Sequence, residues 1–431
     1  MKKIFTLLFL VVAITTMTAQ TARDDIKANP WLAGSNYVDY NRQLPDFKYT
    51  AAPAGYVPFY FTHYGRHGSR WLIGDDSYDR VLNPLRKAAQ QGKLTAVGQQ
   101  TLEQLEQFNK TTYKRLGDLT TVGERQHHGI GKRIVEHFPE IFKSEGLAID
   151  ARSTVVTRCV LSMVAECEEF MAANPTARIH NDVSESLQYY LNQPREGKVK
   201  ETRDKMDKSF LSAYTDRKTH PVRLMKVLFN DVRWAADSIN QGALMRQLFE
   251  VVINMQSHDD GIDMLNLFTN DEIYDQWAIS NVSWYLRYAN APQTDNVMPF
   301  SQYNLLTNII ETADTCVALG KPQATMRFGH EVCVMPLACL MELGNCGVSV
   351  SDLETLDQQW QNYKIFPMAC NIQLIFYNPK KGEGDILVKA LLNEREVTLP
   401  VQATSTPYYY KWSDLRAYWT KKLAGFTQNE K

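Results

Sequence analysis

A chain of 431 residues with 47 basic and 48 acidic side chains carries a formal net charge of only −1, and its charges form no basic tail or stripe of the kind that binds nucleic acid. No stretch approaches the roughly 20 consecutive apolar residues of a membrane-spanning helix. The length exceeds what one apolar core usually holds, so a main domain with a large insertion or second domain is expected. Nucleic-acid partners and stable membrane insertion are thereby excluded, and any affinity for a polyanion must be local.

Met1-Lys2-Lys3, an apolar run from Ile4 to about Ile14 and small residues before Gln20 read as a secretory signal peptide over residues 1–19, which places the mature chain in the periplasm or outside the cell. From Gln20 to about Tyr49, two prolines and scattered aromatic residues without periodicity predict an extended arm. The aromatic and β-branched run Tyr56 to Tyr64 then predicts a strand. It leads into Gly65-Arg66-His67-Gly68-Ser69-Arg70, where two glycines allow a sharp turn and one imidazole lies between two guanidiniums. Two arginines this close are poor core residues, because a buried charge needs a partner. A guanidinium fork matches a tetrahedral oxyanion, and a helix starting near Arg70 would aim free N–H groups at the same point, so the turn reads as a phosphate cradle with a nucleophile in it.

Residues 76–116 show helical periodicity, and Thr120 followed by Glu124 opens a helix that runs to Phe142. His127, His128 and His137 on it read as surface or packing residues. Leu147 to Ala151 is a short strand, and the helix after it carries an apolar stripe from Val155 to Phe170 with Arg158 near its start. Polar residues at the carboxyl end of a strand are where open α/β sheets bind ligands. From about 185 to 312 the pattern is helical with no convincing strand. Within it, residues 195–208 mix six basic with four acidic side chains, which suits either a polyphosphorylated ligand or a solvated helix face. The αβ pattern returns near 313. Ala324 to Phe328 is a strand, Gly329 a turn, and His330-Glu331 opens a helix; Asn371 to Asn378 and Ile386 to Leu399 follow as strands, the latter pairing or bending around Asn393-Glu394, and Trp412 to Leu423 is a helix. Seven cysteines make no zinc spacing. They read as small buried hydrophobes, with room for one or two disulfides of unspecified pairing.

Arg66-His67-Gly68-Ser69-Arg70 resembles the R-H-G-x-R signature of the histidine acid phosphatases, branch 2 of the histidine phosphatase superfamily, and is followed by Trp71-Leu72 where that family often has an aromatic residue and proline. Leu119 to Gly123 resembles the family's L-T-x-x-G segment, Ser153 to Ser162 the segment with its third phosphate-binding arginine, and Gly329-His330-Glu331 its second signature. Members take the form H-D or, in multiple inositol polyphosphate phosphatases and related phytases, H-A-E. Counting to Pro336 leaves no gap, so Glu331 holds the aspartate position and Val332 that of the H-A-E glutamate.

The resemblance implies an α/β, phosphoglycerate-mutase-like histidine phosphatase fold, with a central mainly parallel sheet flanked by helices and an inserted helical cap: core over 20–184 and 313–431, cap over 185–312. It implies His67 as phosphorylated nucleophile, Arg66, Arg70, Arg158 and His330 as phosphate ligands, Glu331 as proton donor, a small phosphate ester as substrate, inositol polyphosphates first, and neither metal nor other cofactor. Three competing readings stand beside it: a non-catalytic phosphoester-binding protein, an acid phosphatase for sugar or nucleotide phosphates, and a phosphomutase, which the signal peptide and large cap disfavour. Nothing in the sequence fixes an oligomeric state.

Overall fold

The aromatic run Tyr56–Arg66 forms β1, the strand around which the sheet is assembled. The computed structural model describes residues 21–426 apart from 195 and 383, so the expected signal peptide lies outside the described residues. The other strands are β2 (Ala148–Ser153), β3 (Arg178–Val183), β4 (Gln323–Gly329), β5 (Asn371–Pro379), β6 (Leu387–Leu392), β7 (Arg395–Glu396) and β8 (Tyr410–Lys411). They form one sheet in the order β3-β2-β4-β1-β5-β6-β7, with β8 also pairing β6.

The expected α/β class holds, but the sheet is mixed rather than mainly parallel. From β3 to β1 all pairings are parallel; from β1 through β5 onward they are antiparallel. One of the antiparallel pairings is decided locally. Asn393 and Glu394, both with positive φ, join β6 to β7 in a two-residue hairpin, which only antiparallel strands can close. Alternation along β1 sends Tyr60 and Tyr64 into one apolar cluster and Phe61 into the cluster on the opposite face, so the strand is buried on both sides.

Helix α1 (Ala22–Ala28) precedes β1, α2 (Asp79–Gln90), α3 (Ala96–Asn109), α4 (Thr121–His137) and the short α5 (Pro139–Phe142) follow it, and α6 (Thr157–Ala173) follows β2; α5 packs on β1 and α6 on β2 and β4. The predicted extended arm is instead largely helical from Ala22 to Gln43, and residues 44–49 have no regular structure. Thr21 and Asp24 make a capping box for α1, and two 3₁₀ segments, Pro30–Tyr37 and Tyr40–Gln43, come next. Such short pieces carry too few turns for an amphipathic period to show. Between Val183 and Gln323 every described element is helical. One apolar cluster runs from Tyr60 and Leu374 in the sheet through Leu248 and Trp277 in these helices, so the helical segment packs onto the sheet through a shared core. All seven cysteines are buried and free, and the room for disulfides is unused. No described helix is long and apolar enough to cross a membrane.

Helix α4 is pressed against the turn that follows β1. Thr120 caps it by accepting from Gly123 N, and Thr120 N donates to Ser69 O at 2.9 Å. A Cβ on Gly123 would lie 2.3 Å from Ser69 O and 2.6 Å from Ser69 N, both backbone atoms with nowhere to go. Gly123→Ala should therefore cost about 1–3 kcal/mol of stability as an overpacking substitution. A lowered midpoint in thermal denaturation checks this, and an unchanged midpoint would show that the two backbones are not in contact.

Candidate active site

Three strand ends meet at one edge of the sheet. The parallel register of β1 on β4 sets Arg66 opposite Gly329, and that of β2 on β4 sets Ser153 opposite Phe328. The chain leaves the sheet at the next residues. His67 N donates to Gly329 O at 3.0 Å, and Thr154 N to Phe328 O at 3.0 Å. His67 and His330, 263 positions apart in sequence, thus have ring centroids 5.6 Å apart. All six residues expected at the site are gathered there: Arg66, His67, Arg70, Arg158, His330 and Glu331.

His67 is buried, and its Nδ1 lies 2.8 Å from Gly68 O. A carbonyl only accepts, so Nδ1 carries the proton and Nε2 keeps a free lone pair. Nε2 has no hydrogen-bond partner and lies 3.8 Å from Glu331 Oε2. Burial, reinforced by Arg66, Arg158, Arg70 and His330, holds the imidazole well below its ordinary 6.5, so it stays neutral in weak acid. This is the protonation state that a nucleophile or a ligand atom requires.

The guanidiniums surround that nitrogen. Arg66 is anchored by Nη1 donating to Asn36 O and, at 3.4 Å, to Phe366 O; Arg70 Nη1 donates to Trp71 O at 2.9 Å, and Arg158 Nη1 to Gly117 O at 3.2 Å. Each anchor spends one N–H and leaves others over: Arg66 Nη2, Arg70 Nε and Arg158 Nε are buried without a partner. His330, at the N-cap of the helix Glu331–Leu340, is pushed down to about 4 by burial and by the same three arginines against the pull of Glu331. Unfilled donors around a neutral imidazole suit an oxyanion.

Glu331 is the one acid among them. Burial alone would raise its carboxyl, but Arg66, then Arg70 and His330, outweigh it and hold the group at about 2. Its Oε2 is 2.9 Å from Arg66 Nε, without the N–H being directed at that oxygen, so the contact is electrostatic rather than a formed hydrogen bond. In this state the carboxylate sits on the clamp like a resident anion. The donor atoms of His67, His330 and Glu331 all lie within 4.8 Å of one another, a set that is chemically able to ligate a metal ion. Three fixed positive charges beside it oppose a cation and favour an anion.

Several contributors were not legible in the sequence. Asn36, in the segment read as an extended arm, backs Arg66 with its carbonyl and lies 3.4 Å from Glu331 Oε1 through Nδ2. Tyr37 lies under the Arg70 guanidinium at 5.5 Å. Gln126 and Ser162, on α4 and α6, hold the backbone of the turn after β1. None carries a charge or motif that would single it out; an i, i+3 relation to Gly123 for Gln126 was the only available signal. His127, His128 and His137 pair with Glu166, Glu169 and the Tyr49 ring rather than with the site, as packing residues would.

No protein-family model and no curated protein matches this sequence. Solved structures do share its fold. The Bifidobacterium longum multiple inositol polyphosphate phosphatase, in complex with inositol hexasulfate, is 19% identical and superposes with a TM-score of 0.71 over 90% of this chain and 97% of that one. The phytase from D. castellii is 14% identical, with a TM-score of 0.67 over 92% of this chain and 86% of its own. Hafnia alvei phytase in complex with tartrate is 13% identical, with a TM-score of 0.50 over 86% and 98%. The histidine phosphatase fold implied by the sequence resemblance is therefore the fold this chain adopts.

Because Arg66 is the main source of the depression of Glu331, Arg66→Gln should leave the carboxyl at least ten times less acidic. A ¹³C titration of the Glu331 carboxyl checks this: midpoint near 2 in the parent protein, at least one pH unit higher in the variant. Equal midpoints would mean that Arg66 is not its partner.

Proposed function

We propose that this chain, on its histidine phosphatase fold, is a phosphomonoesterase that works through a phosphohistidine on His67, with inositol polyphosphates as substrates. The observation that carries the reading is the partnerless, unprotonated Nε2 of His67 among three arginines whose inward N–H groups are unfilled. That arrangement suits in-line attack on phosphorus, with Arg66, Arg70, Arg158 and His330 bearing the charge of the equatorial oxygens. Water then hydrolyses the phosphohistidine. The step needs no metal, since the arginines supply the charge.

The proton for the leaving oxygen comes from Glu331, but not in the empty site, where it is ionised. A phosphate dianion entering the clamp takes Arg66 from Glu331 and places like charge beside it. Both changes raise the carboxyl, so substrate binding brings the proton with it. After transfer the same carboxylate serves as base for the attacking water. His67, already neutral, sets no acid limit until its strongly lowered range is reached, so activity extends into acid; on the alkaline side, loss of the Glu331 proton from the complex lowers the rate on substrates with basic leaving groups.

Two observations support a polyphosphorylated substrate. The B. longum neighbour was solved with inositol hexasulfate, a hexa-anionic cyclitol. In this chain Arg203, from the mixed-charge segment of the helical insertion, has Nε and Nη2 without hydrogen-bond partners, and its Nη1 donates to Gln193, whose own amide donates to Val332 O at 2.5 Å, next to Glu331. An arginine with donors to spare beside the site suits a second phosphate. Release before folding into the periplasm or medium follows from the signal peptide read in residues 1–19.

Rapid quenching with labelled substrate in EDTA should trap phosphate on the parent protein and none on His67→Ala. A parent protein that binds inorganic phosphate but neither turns over nor labels would be a phosphoester-binding protein instead. Phosphate release from inositol hexakisphosphate should exceed that from sugar and nucleotide phosphates; the reverse order would leave a general acid phosphatase. Glu331→Gln should cost roughly 10²-fold on alkyl phosphates, the usual range for general acid catalysis, and little on a nitrophenyl ester, whose leaving group needs no proton. Equal small losses on both would assign the proton to another residue.

A further inference from the structure

The tautomer of His67 depends on a single peptide. The ring's Nδ1 donates to Gly68 O, and the N–H of that same peptide unit, on Ser69, donates to Gln126 Oε1 at 2.8 Å. Gln126 is fully buried on α4, and its other atom, Nε2, donates to Ser69 Oγ at 2.9 Å and to Asp39 Oδ1 at 2.6 Å. The orientation of the amide is not ambiguous. Asp39 presents an acceptor and Ser69 N a donor, so nitrogen must face the first and oxygen the second. On the other side of Gly68, its N–H donates to Ser162 Oγ at 3.1 Å, which in turn donates to Arg158 O. Gly68, with no side chain, has the least intrinsic resistance to rotation of its flanking peptides.

We propose that Gln126 is a positioning residue for His67: tethered by Asp39, it fixes the plane of the Gly68–Ser69 peptide, and thereby keeps the proton on Nδ1 and the lone pair on Nε2. Were that plane to rotate, Gly68 O would leave Nδ1 and nothing else in the site would hold the reactive tautomer. A hydrogen bond to the N–H of a peptide also strengthens what its carbonyl accepts, so the two bonds reinforce each other. Asp39 belongs to the segment between the two 3₁₀ pieces, so the N-terminal arm reaches the nucleophile through Gln126. The inference deepens the phosphohistidine reading and rests on it for its kinetic consequence, though not for the tautomer itself.

Gln126→Leu removes both bonds to the turn. The expected result is a kcat lower by about 10- to 100-fold, the size of effect that misplacing a reacting group produces, with KM and the inhibition constant of inorganic phosphate changed less than about threefold, because the arginine anchors are separate. Gln126→Glu keeps an acceptor for Ser69 N but opposes Asp39; pairing it with Asp39→Asn restores a donor there and should recover most of kcat. Should Gln126→Leu fail to fold, Asp39→Ala, which frees the amide without touching the Ser69 N–H bond, should still lower kcat at unchanged phosphate affinity. In ¹⁵N NMR His67 should carry its proton on Nδ1 in the parent protein and become a mixture of tautomers in the variants. Parental kcat with an unchanged tautomer overturns the proposal, as does an equal loss of kcat and phosphate affinity, which would mean general disruption. If the parent protein neither turns over nor labels, the phosphohistidine reading fails while the NMR tautomer still decides the role of Gln126.

Discussion

The parallel pairing of β1 with β4 is the constraint on which the site depends. Its register sets Arg66 against Gly329, so the two residues that leave the sheet next are His67 and His330. A slip of one residue would turn every side chain of β1 to the opposite face, exchanging Tyr60 and Tyr64 for Phe61 and moving the clamp away from its partner strand. Both faces of β1 are packed in apolar clusters, and that two-sided burial is what makes the slip costly. The same aromatic residues that stabilise the sheet thus fix the distance between two halves of the candidate site.

Charge is deliberately unbalanced at this edge. Three guanidiniums converge where the protein supplies one carboxylate, and spare N–H groups on each arginine lack partners. Buried donors left unmade are expensive. The cost is borne by the backbone carbonyls of Asn36, Phe366, Trp71 and Gly117, which hold the arginines in place with one N–H each. What remains is a preformed deficit of negative charge. Glu331 relieves it only in part, with its Oε2 2.9 Å from Arg66 Nε.

The turn after β1 is held from behind. Helices α4 and α6 grip residues 68–70 through Thr120, Gly123, Gln126 and Ser162, with backbone in direct contact with backbone at Gly123. This is rigid support for a short loop with little side-chain packing of its own, since Gly68 has no side chain and Arg70 is tied to the neighbouring Trp71 carbonyl. From the helical insertion, Arg203 donates to Gln193, whose amide donates to Val332 O, the residue after Glu331 in the chain.

The sequence by itself determined the order of strands and helices wherever a period was long enough to read, as in β1, α4, α6 and the helix after His330. It also named the candidates for the site: Arg66, His67 and Arg70 from the glycine-bounded turn after β1, and Arg158, His330 and Glu331 through the family resemblance. Tertiary structure decided what periodicity cannot carry. The arm folds as short helical pieces between Ala22 and Gln43, and β5 pairs antiparallel with β1 although no short turn joins them. The protonation states were decided there as well. Glu331 is ionised because Arg66 stands 2.9 Å from it, and His67 is neutral because it is buried among guanidiniums. A sequence names the ionisable groups, but Coulomb energy depends on separation and burial, and those exist only once distant segments have packed together.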